Sequence, residues 1–460
     1  MKSILSTASR PSMLLWCGMG LGTYWAWNYT FIASTVDSSM WLANVAAHLC
    51  ALVLVVLGGR RAAPFSSRPF FIIAVPACMT LGTLLFHSSW LYPESPYLAQ
   101  WISSVVVGLS SAVLLVLWSE AFARFTIVRE QELVSYCGVI AGFALYLVTA
   151  YLPWAVQITL IACLPVVSAT CTGIVNAASQ SDITATRARS SFPPYKTVLP
   201  VRLLLCAFVF AVPMGYFKNS FAGDWAIVNA IALLLVVCAV AIETLFKRKA
   251  SSSLFPKMLI LLLSGGLLFL PLFSEHMVIS GALIIVGSFI FRAYLYQICG
   301  IVSTQTRSLP SMVFALATCM LDAGWIVGIS LRTALHGMPA SWFVYATAGI
   351  AYLVFAIGLL LVSRRFDYFE LVVPDQEDET SRGFDDGLRA RGERVAVAFS
   401  LTRREKEVAV LLASGMSIQQ IADDIMLSRN TVKTHVSHVY QKCGVHSKEE
   451  LVKLFEMHER

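Results

Sequence analysis

Apolar residues fill the first three-quarters of the chain in long, almost unbroken stretches separated by short polar breaks. The stretches lie near 11–34, 40–57, 69–87, 99–119, 133–151, 155–177, 199–217, 225–246, 254–273, 277–300, 309–331 and 341–363. Each is about as long as an α-helix must be to cross the roughly 30 Å of bilayer hydrocarbon. Backbone polar groups in lipid have to be satisfied within their own segment, so the stretches predict helices rather than open strands. The breaks at Asp37-Ser38-Ser39 and Leu152-Pro153-Trp154 are short enough to predict tight antiparallel pairs.

After residue 365 the pattern changes. Residues 366–398 are mostly polar, with an acidic run over Asp375–Glu379, and predict a flexible tether. From 399 onward apolar positions recur at helical spacing in short bursts. Thr402 is placed to cap a first helix, with Glu405 three residues later as in a capping box, and Val408, Leu411 and Leu412 facing inward. Ser414-Gly415 ends it. Ser417 opens a second helix with Ile418, Ile421, Ala422 and Ile425 as its stripe. Ser428 opens a third, Arg429 to Lys442, with Val432, Val436 and Val439 inward, and Cys443-Gly444 stops it. Ser447 opens a fourth carrying Leu451, Leu454 and Phe455. The expected class is all-α: a twelve-helix transmembrane bundle over 1–365, an acidic linker over 366–398, and a small four-helix unit over 399–460.

Composition agrees, since 57% hydrophobic and 13% charged residues in 460 exclude an ordinary soluble protein. Charge adds orientation. Fifteen Lys and Arg fall in the N-terminal segment and the loops after even-numbered stretches, against two, Lys218 and Arg332, in the opposite loops. That bias puts the N-terminus in the cytoplasm, and twelve crossings return the C-terminus there, past Arg364-Arg365. A signal peptide is disfavoured, because the first stretch is long and carries Trp25, Trp27 and Asn28. The loop 178–198 divides the stretches six and six. The final unit has nine basic and eight acidic residues, a nearly even balance.

Two short helices in succession, the later one polar and basic on its outer face, predict a helix-turn-helix. LTRREKEVAVLLASG, IADDI, LSRNTVKTHVSHVYQKCGV and the final apolar helix resemble the DNA-binding domain of LuxR/GerE-type regulators. The resemblance implies that Lys433, Thr434 and Ser437 face base edges and that Asn430, Thr431, Tyr440 and Lys442 hold phosphates. It also implies a homodimer through the fourth helix. Ile418, Gln419 and Gln420 depart from the Asn-Lys-Glu frequent there in the family. In span count and layout alone, the six-and-six arrangement resembles major facilitator transporters. Of that family's glycine- and charge-rich loop between helices 2 and 3, only Gly58-Gly59-Arg60-Arg61 is recognisable, without an acidic partner.

Polar groups inside a bilayer are expensive and mark function or pairing. Arg292 and Asp322 lie at depths differing by roughly 8 Å along their helices, within reach of a long side chain. Tyr296 shares the face of Arg292 and Trp325 that of Asp322. With Tyr24, Asn28 and the cluster around Trp25, they predict a ligand cavity; the competing expectation is a structural ion pair between Arg292 and Asp322. His48, mid-stretch, is expected to be structural. The eleven cysteines show no CxxC or Cys/His ligand spacing, so neither metal nor cofactor is expected. Gly18 and Gly22 have GxxxG spacing, suited to helix packing. Nucleophile, phosphate-loop and paired-carboxylate patterns are missing, so no enzyme is implied. The expected function is a one-component, membrane-bound transcriptional regulator of the bacterial inner membrane. Its partners would be DNA, membrane lipid and an unidentified small molecule. The alternatives are a secondary transporter with an autoregulatory DNA-binding tail, and a tail that docks proteins.

Overall fold

The computed structural model describes residues 10–34, 37–59, 63–87, 96–125, 128–177, 199, 201–218, 225–246, 254–272, 277–305, 308–362, 391–413, 418, 421 and 429–457. The chain forms two compact units, Met1–Val372 and Val373–Arg460, and the described residues contain no strand.

Twelve helices of the first unit follow the expected stretches: α1 (Arg10–Ser34), α2 (Ser38–Gly58), α3 (Pro69–Phe86), α4 (Pro96–Phe122), α5 (Val128–Ala150), α6 (Trp154–Ala177), α7 (Val201–Lys218), α8 (Trp225–Phe246), α9 (Leu254–Leu272), α10 (Met277–Gln305), α11 (Pro310–Ala334) and α12 (Ala340–Val362). Among the described residues nine of them, α2–α7 and α10–α12, are long and apolar enough to cross a membrane. Helices α8 and α9 have shorter apolar stretches, Trp225–Ala241 and Met258–Pro271. Helix α1 differs in kind, because its polar-aromatic residues Tyr24, Trp25, Trp27, Tyr29 and Thr30 are turned inward and buried. Leu54, Leu57, Phe70, Ile73 and Leu360 are exposed instead, giving the apolar outer surface of a multi-pass membrane protein.

The helix pairings repeat with an offset of six. Helix α1 packs on α5 as α7 packs on α11; α3 meets α4 and α6 as α9 meets α10 and α12; α2 on α4 corresponds to α8 on α10. Contacts also join the halves in matching pairs, α2 with α11 and α5 with α8, and likewise α5 with α10 and α4 with α11. The chain is therefore built as two six-helix halves, although its sequence carries no recognisable repeat. The α1–α5 and α7–α11 crossings are the tightest, and glycine permits both. A Cβ on Gly142 would stand 2.5 Å from the Cβ of Trp25, and one on Gly324 would stand 2.1 Å from the carbonyl oxygen of Phe208. Of the GxxxG pair, Gly22 sits at the α1–α5 crossing, 2.9 Å from Ala141 by the same measure, whereas Gly18 has only ordinary contact.

Side-chain polar bonds tie the packed helices where no water competes. The Trp27 indole donates to Thr83 Oγ1 at 3.0 Å, and Trp118 donates to Ser168 Oγ at 2.9 Å. An acidic partner for the segment joining α2 and α3 does exist. Glu120, near the end of α4, accepts from the Phe65 and Ser66 amides, both at 2.8 Å. It lies 55 residues away along the chain, beyond any local pattern.

In the second unit α13 (Arg403–Ala413), α14 (Arg429–Cys443) and α15 (Lys448–Met457) enclose a core of Val408, Leu412, Ile421, Val432, Val439, Leu451 and Phe455. The expected capping box is formed: the Thr402 amide donates to Glu405 Oε2 at 2.8 Å and the Glu405 amide to Thr402 Oγ1 at 3.3 Å. Ser447 Oγ accepts from the Glu450 amide at 3.1 Å and opens α15. Gly444, at φ +68, takes the left-handed turn that ends α14. The stop at Ser414-Gly415, the caps at Ser417 and Ser428, and most of the expected second helix lie outside the described residues, though Ile418 and Ile421 are helical. One difference concerns the tether. Residues 391–398 are helical, and Val395 is fully buried in the core of this unit. The short run Val395-Ala396-Val397-Ala398 after a polar segment carries no helical periodicity, so the burial of Val395 was not legible.

Candidate functional site

Helix α14 separates its faces cleanly. Val432, Val436 and Val439 are buried at helical spacing, and Asn430, Thr431, Lys433, Thr434 and Ser437 are exposed on the remaining surface. Thr434 Oγ1 donates back to the Asn430 carbonyl at 3.1 Å. Tyr440 is half-buried and packs against the core. The base-facing set and Asn430 and Thr431 thus stand on one solvent-facing surface with short polar side chains around one lysine. Lys442 is placed differently: its ammonium donates to Glu405 Oε2 at 2.7 Å and to the Ser400 carbonyl at 3.2 Å. That bond, with the Thr402 amide behind it, draws the Glu405 carboxyl down to about 2 from an ordinary 4.5. Lys442 joins the end of α14 to the start of α13, so any phosphate would compete with Glu405 for it.

The first unit holds a narrow cavity: the space in it is about 460 Å³ when open solvent at the mouth is counted, and the room in its interior is about 30 Å³. All six residues expected around a cavity line it: Tyr24 and Asn28 from α1, Arg292 and Tyr296 from α10, Asp322 and Trp325 from α11. The pairing inside differs from the expected one. Asp322 Oδ2 lies 2.6 Å from His48 Nδ1, reaching across the α2–α11 contact between the halves. Arg292 does not meet Asp322. Its guanidinium carbon lies 4.6 Å from the Trp325 ring centre and 5.5 Å from that of Trp25. Among the described residues no carboxylate oxygen comes within 4.0 Å of it. Depth along the helices allowed an Arg292–Asp322 pair; rotation about them decided against it, because α11 presents Asp322 to α2. The sequence signal for the actual partner was His48 itself, an imidazole in mid-span.

Aromatic rings build the rest of the wall. Trp41 packs on Trp325 with ring centres 5.4 Å apart, and Trp25 stacks on Tyr296 at 6.0 Å. The Lys218 ammonium lies 6.0 Å from the Trp41 ring centre and 5.0 Å from that of Trp225. Gly215 fixes Trp325 from behind, since a Cβ there would stand 2.2 Å from the Trp325 carbonyl oxygen.

Residues 399–455 match the family described as bacterial regulatory proteins, luxR family. The C-terminal unit carries a LuxR-type helix-turn-helix domain. It is similar to the uncharacterized response regulatory protein YgeK of Escherichia coli (strain K12), with 36% identity over 92 residues, 20% of this chain and 54% of that one. It is also similar to the Fimbriae Z protein of the same strain, with 43% identity over 60 residues, 12% of this chain and 29% of that one. The chain therefore spans about half or less of the length of these curated relatives. Among solved structures, the human organic anion transporter MFSD10 (TETRAN) aligns with 76% of this chain and 97% of its own, at 11% identity and a TM-score of 0.49. The fucose:proton symporter FucP of E. coli aligns with 76% and 96%, at 12% identity and a TM-score of 0.39.

Within the LuxR-type domain, the exposed face of α14 carries Lys433, Thr434 and Ser437. The domain binds DNA, and it is covalently attached to a bundle of membrane helices.

Proposed function

We propose that the chain is a one-component, membrane-bound transcriptional regulator of the bacterial inner membrane, with both ends in the cytoplasm and its twelve helices crossing the bilayer. One observation carries this reading: a LuxR-type DNA-binding domain at 399–455 follows a polytopic helical bundle on the same polypeptide. A cavity at the junction of the two halves, walled by an ion pair and indoles, supports a small-molecule sensor. Ligand that favours one packing of the halves would change how often two LuxR-type domains pair on an operator, α15 being the expected contact. Lys433, Thr434 and Ser437 read bases; Asn430, Thr431 and Tyr440 hold phosphates. No catalytic step is assigned, and the 363–390 segment serves as the tether.

The test begins with selection of a duplex by the 373–460 segment. That duplex is then placed before a reporter in cells carrying the full chain. Expression should depend on the full chain and vanish with Lys433→Ala. Reporter fusions at 190 and 366 should both report cytoplasm and one at 92 the outside. A full chain that leaves the reporter unaffected refutes regulation. The cavity also favours a second reading, a secondary transporter whose tail regulates its own expression. Net uptake into vesicles loaded with the chain would establish it, because a sensor binds without flux.

A further inference from the structure

We propose that the membrane cavity recognises a small organic carboxylate, its anionic group on the Arg292 guanidinium and its apolar part against Trp41 and Trp325. This deepens the reading of the first unit as a sensor and rests on it.

The cavity wall holds one carboxylate, one guanidinium and one imidazole. The carboxylate is already committed, with His48 at 2.6 Å. Arg292 is not. It is 5% exposed and flanked by the faces of Trp25 and Trp325. Ring faces stabilise its charge, and among the described residues no carboxylate lies within 4.0 Å of its planar five-donor fork. A guanidinium in this low-dielectric setting favours an anionic partner. A carboxylate matches the fork with two parallel bonds.

Other ligand classes fit less well. An organic cation would be repelled by Arg292 and Lys218, which lie over the indoles it would use. Its only carboxylate partner on the wall would have to be taken from His48. A neutral ligand can offer the guanidinium an acceptor but no countercharge, so its bonds there are weaker than those of a carboxylate. A dianion brings two charges to one uncommitted cation, beside the Asp322 carboxylate.

Lys218 supplies an independent observation. It is buried on α7, and the rings of Trp41 and Trp325 run from it to Arg292 in one continuous aromatic wall. Lys218 thus stands one ring behind the cavity lining and adds positive potential beside it. Asn28 adds selectivity, since its buried side-chain oxygen has no hydrogen-bond partner and accepts a donor, such as a ligand hydroxyl.

The test uses the full-length chain in lipid nanodiscs and three matched probes: 4-hydroxyphenylacetate, its neutral amide, and tyramine as the cationic counterpart. Equilibrium dialysis with labelled probes should show saturable binding of the acid, with the amide and tyramine weaker by at least about tenfold. Arg292→Gln should abolish acid binding and Arg292→Lys should weaken it, in protein that remains monodisperse. Probe selectivity in the unsubstituted chain decides the matter even if Arg292→Gln misfolds. A smaller selectivity, or no saturable acid binding at millimolar concentration, overturns the assignment. If the acid binds through Arg292 and leaves the reporter unchanged, the carboxylate site stands and the sensor reading falls.

Discussion

Glu405 offers a quantitative handle on the DNA-binding unit, because one carboxylate joins a helix cap to the end of α14. Its Oε2 accepts from the Lys442 ammonium at 2.7 Å and from the Thr402 amide at 2.8 Å. Glu405→Gln keeps an acceptor for the cap and removes the charge. A carboxyl lowered from 4.5 to about 2 corresponds at face value to about 3 kcal/mol. The Lys442 side chain is 37% exposed, so screening reduces this to about 1–2 kcal/mol. Glu405→Ala also loses the cap, for roughly 1 kcal/mol more. Thermal and urea unfolding of the 373–460 segment, with Lys442→Met and the double variant, measures the coupling. The pH dependence has a definite sign. Folding depresses this carboxyl, so its contribution is complete above an unfolded value of about 4.3 and is lost as pH falls towards about 2. The difference between parent and Glu405→Gln should be flat from neutral pH to about 5 and shrink below. A difference that stays constant down to pH 2, or additive single and double variants, would refute the account.

Further outcomes follow for particular residues. Breaking the His48–Asp322 pair should be asymmetric: His48→Leu strands a buried carboxylate and should lower the yield of monodisperse protein more than Asp322→Leu, with the double variant recovering part of it. Arg292→Leu should show no such coupling to Asp322. Val395→Ala should destabilise the 373–460 segment by about 2 kcal/mol in urea unfolding, and a segment starting at 399 should be weaker still. Lys433→Ala should cost roughly 1–3 kcal/mol on a selected duplex and relax sequence preference. Lys442→Ala, already paired with Glu405, should lower thermal stability while changing the salt slope by less than one unit.

Local pattern was enough wherever neighbours in sequence decide the structure. The helices, the Thr402–Glu405 capping box and the inward valines of α14 all obey spacing of three or four residues. Side-chain partners across helices were another matter. Hydrophobic stretches fix depth in the bundle, but they do not fix rotation about the helix axis, because several faces of a membrane helix are equally apolar. Depth therefore brought the six cavity residues to the right level, while the partner of Asp322 proved to be His48 and that of Arg292 an indole pair. Glu120 was missed for the same reason, since it serves amides 55 and 54 residues away. Lys442 shows the converse limit: a helix-end lysine looks suited to phosphate, and only the packing of α13 on α14 reveals its internal carboxylate.

The same ion pairs bear on how such a chain would switch. The final 62-residue stretch, 399–460, has nine basic and eight acidic residues, and three of the basic ones, Arg404, Lys406 and Lys442, are each within 2.7 Å of a glutamate oxygen. Few cations remain to displace counterions, so one domain alone should hold DNA weakly, each phosphate contact contributing a salt slope of about 0.9. Two domains on one operator bind as a linked pair, and their combined affinity rises steeply with effective concentration. A membrane unit that only alters how often two domains meet then needs little energy. A coupling of about 1–3 kcal/mol changes occupancy roughly 5- to 150-fold. A ligand supplies it only by binding the two packings of the halves unequally. The His48–Asp322 bond spans the α2–α11 contact between those halves, beside Arg292 on the same cavity wall. On the proposed reading, a carboxylate bound there would lie beside the α2–α11 contact, where a difference between two packings of the halves would change its binding.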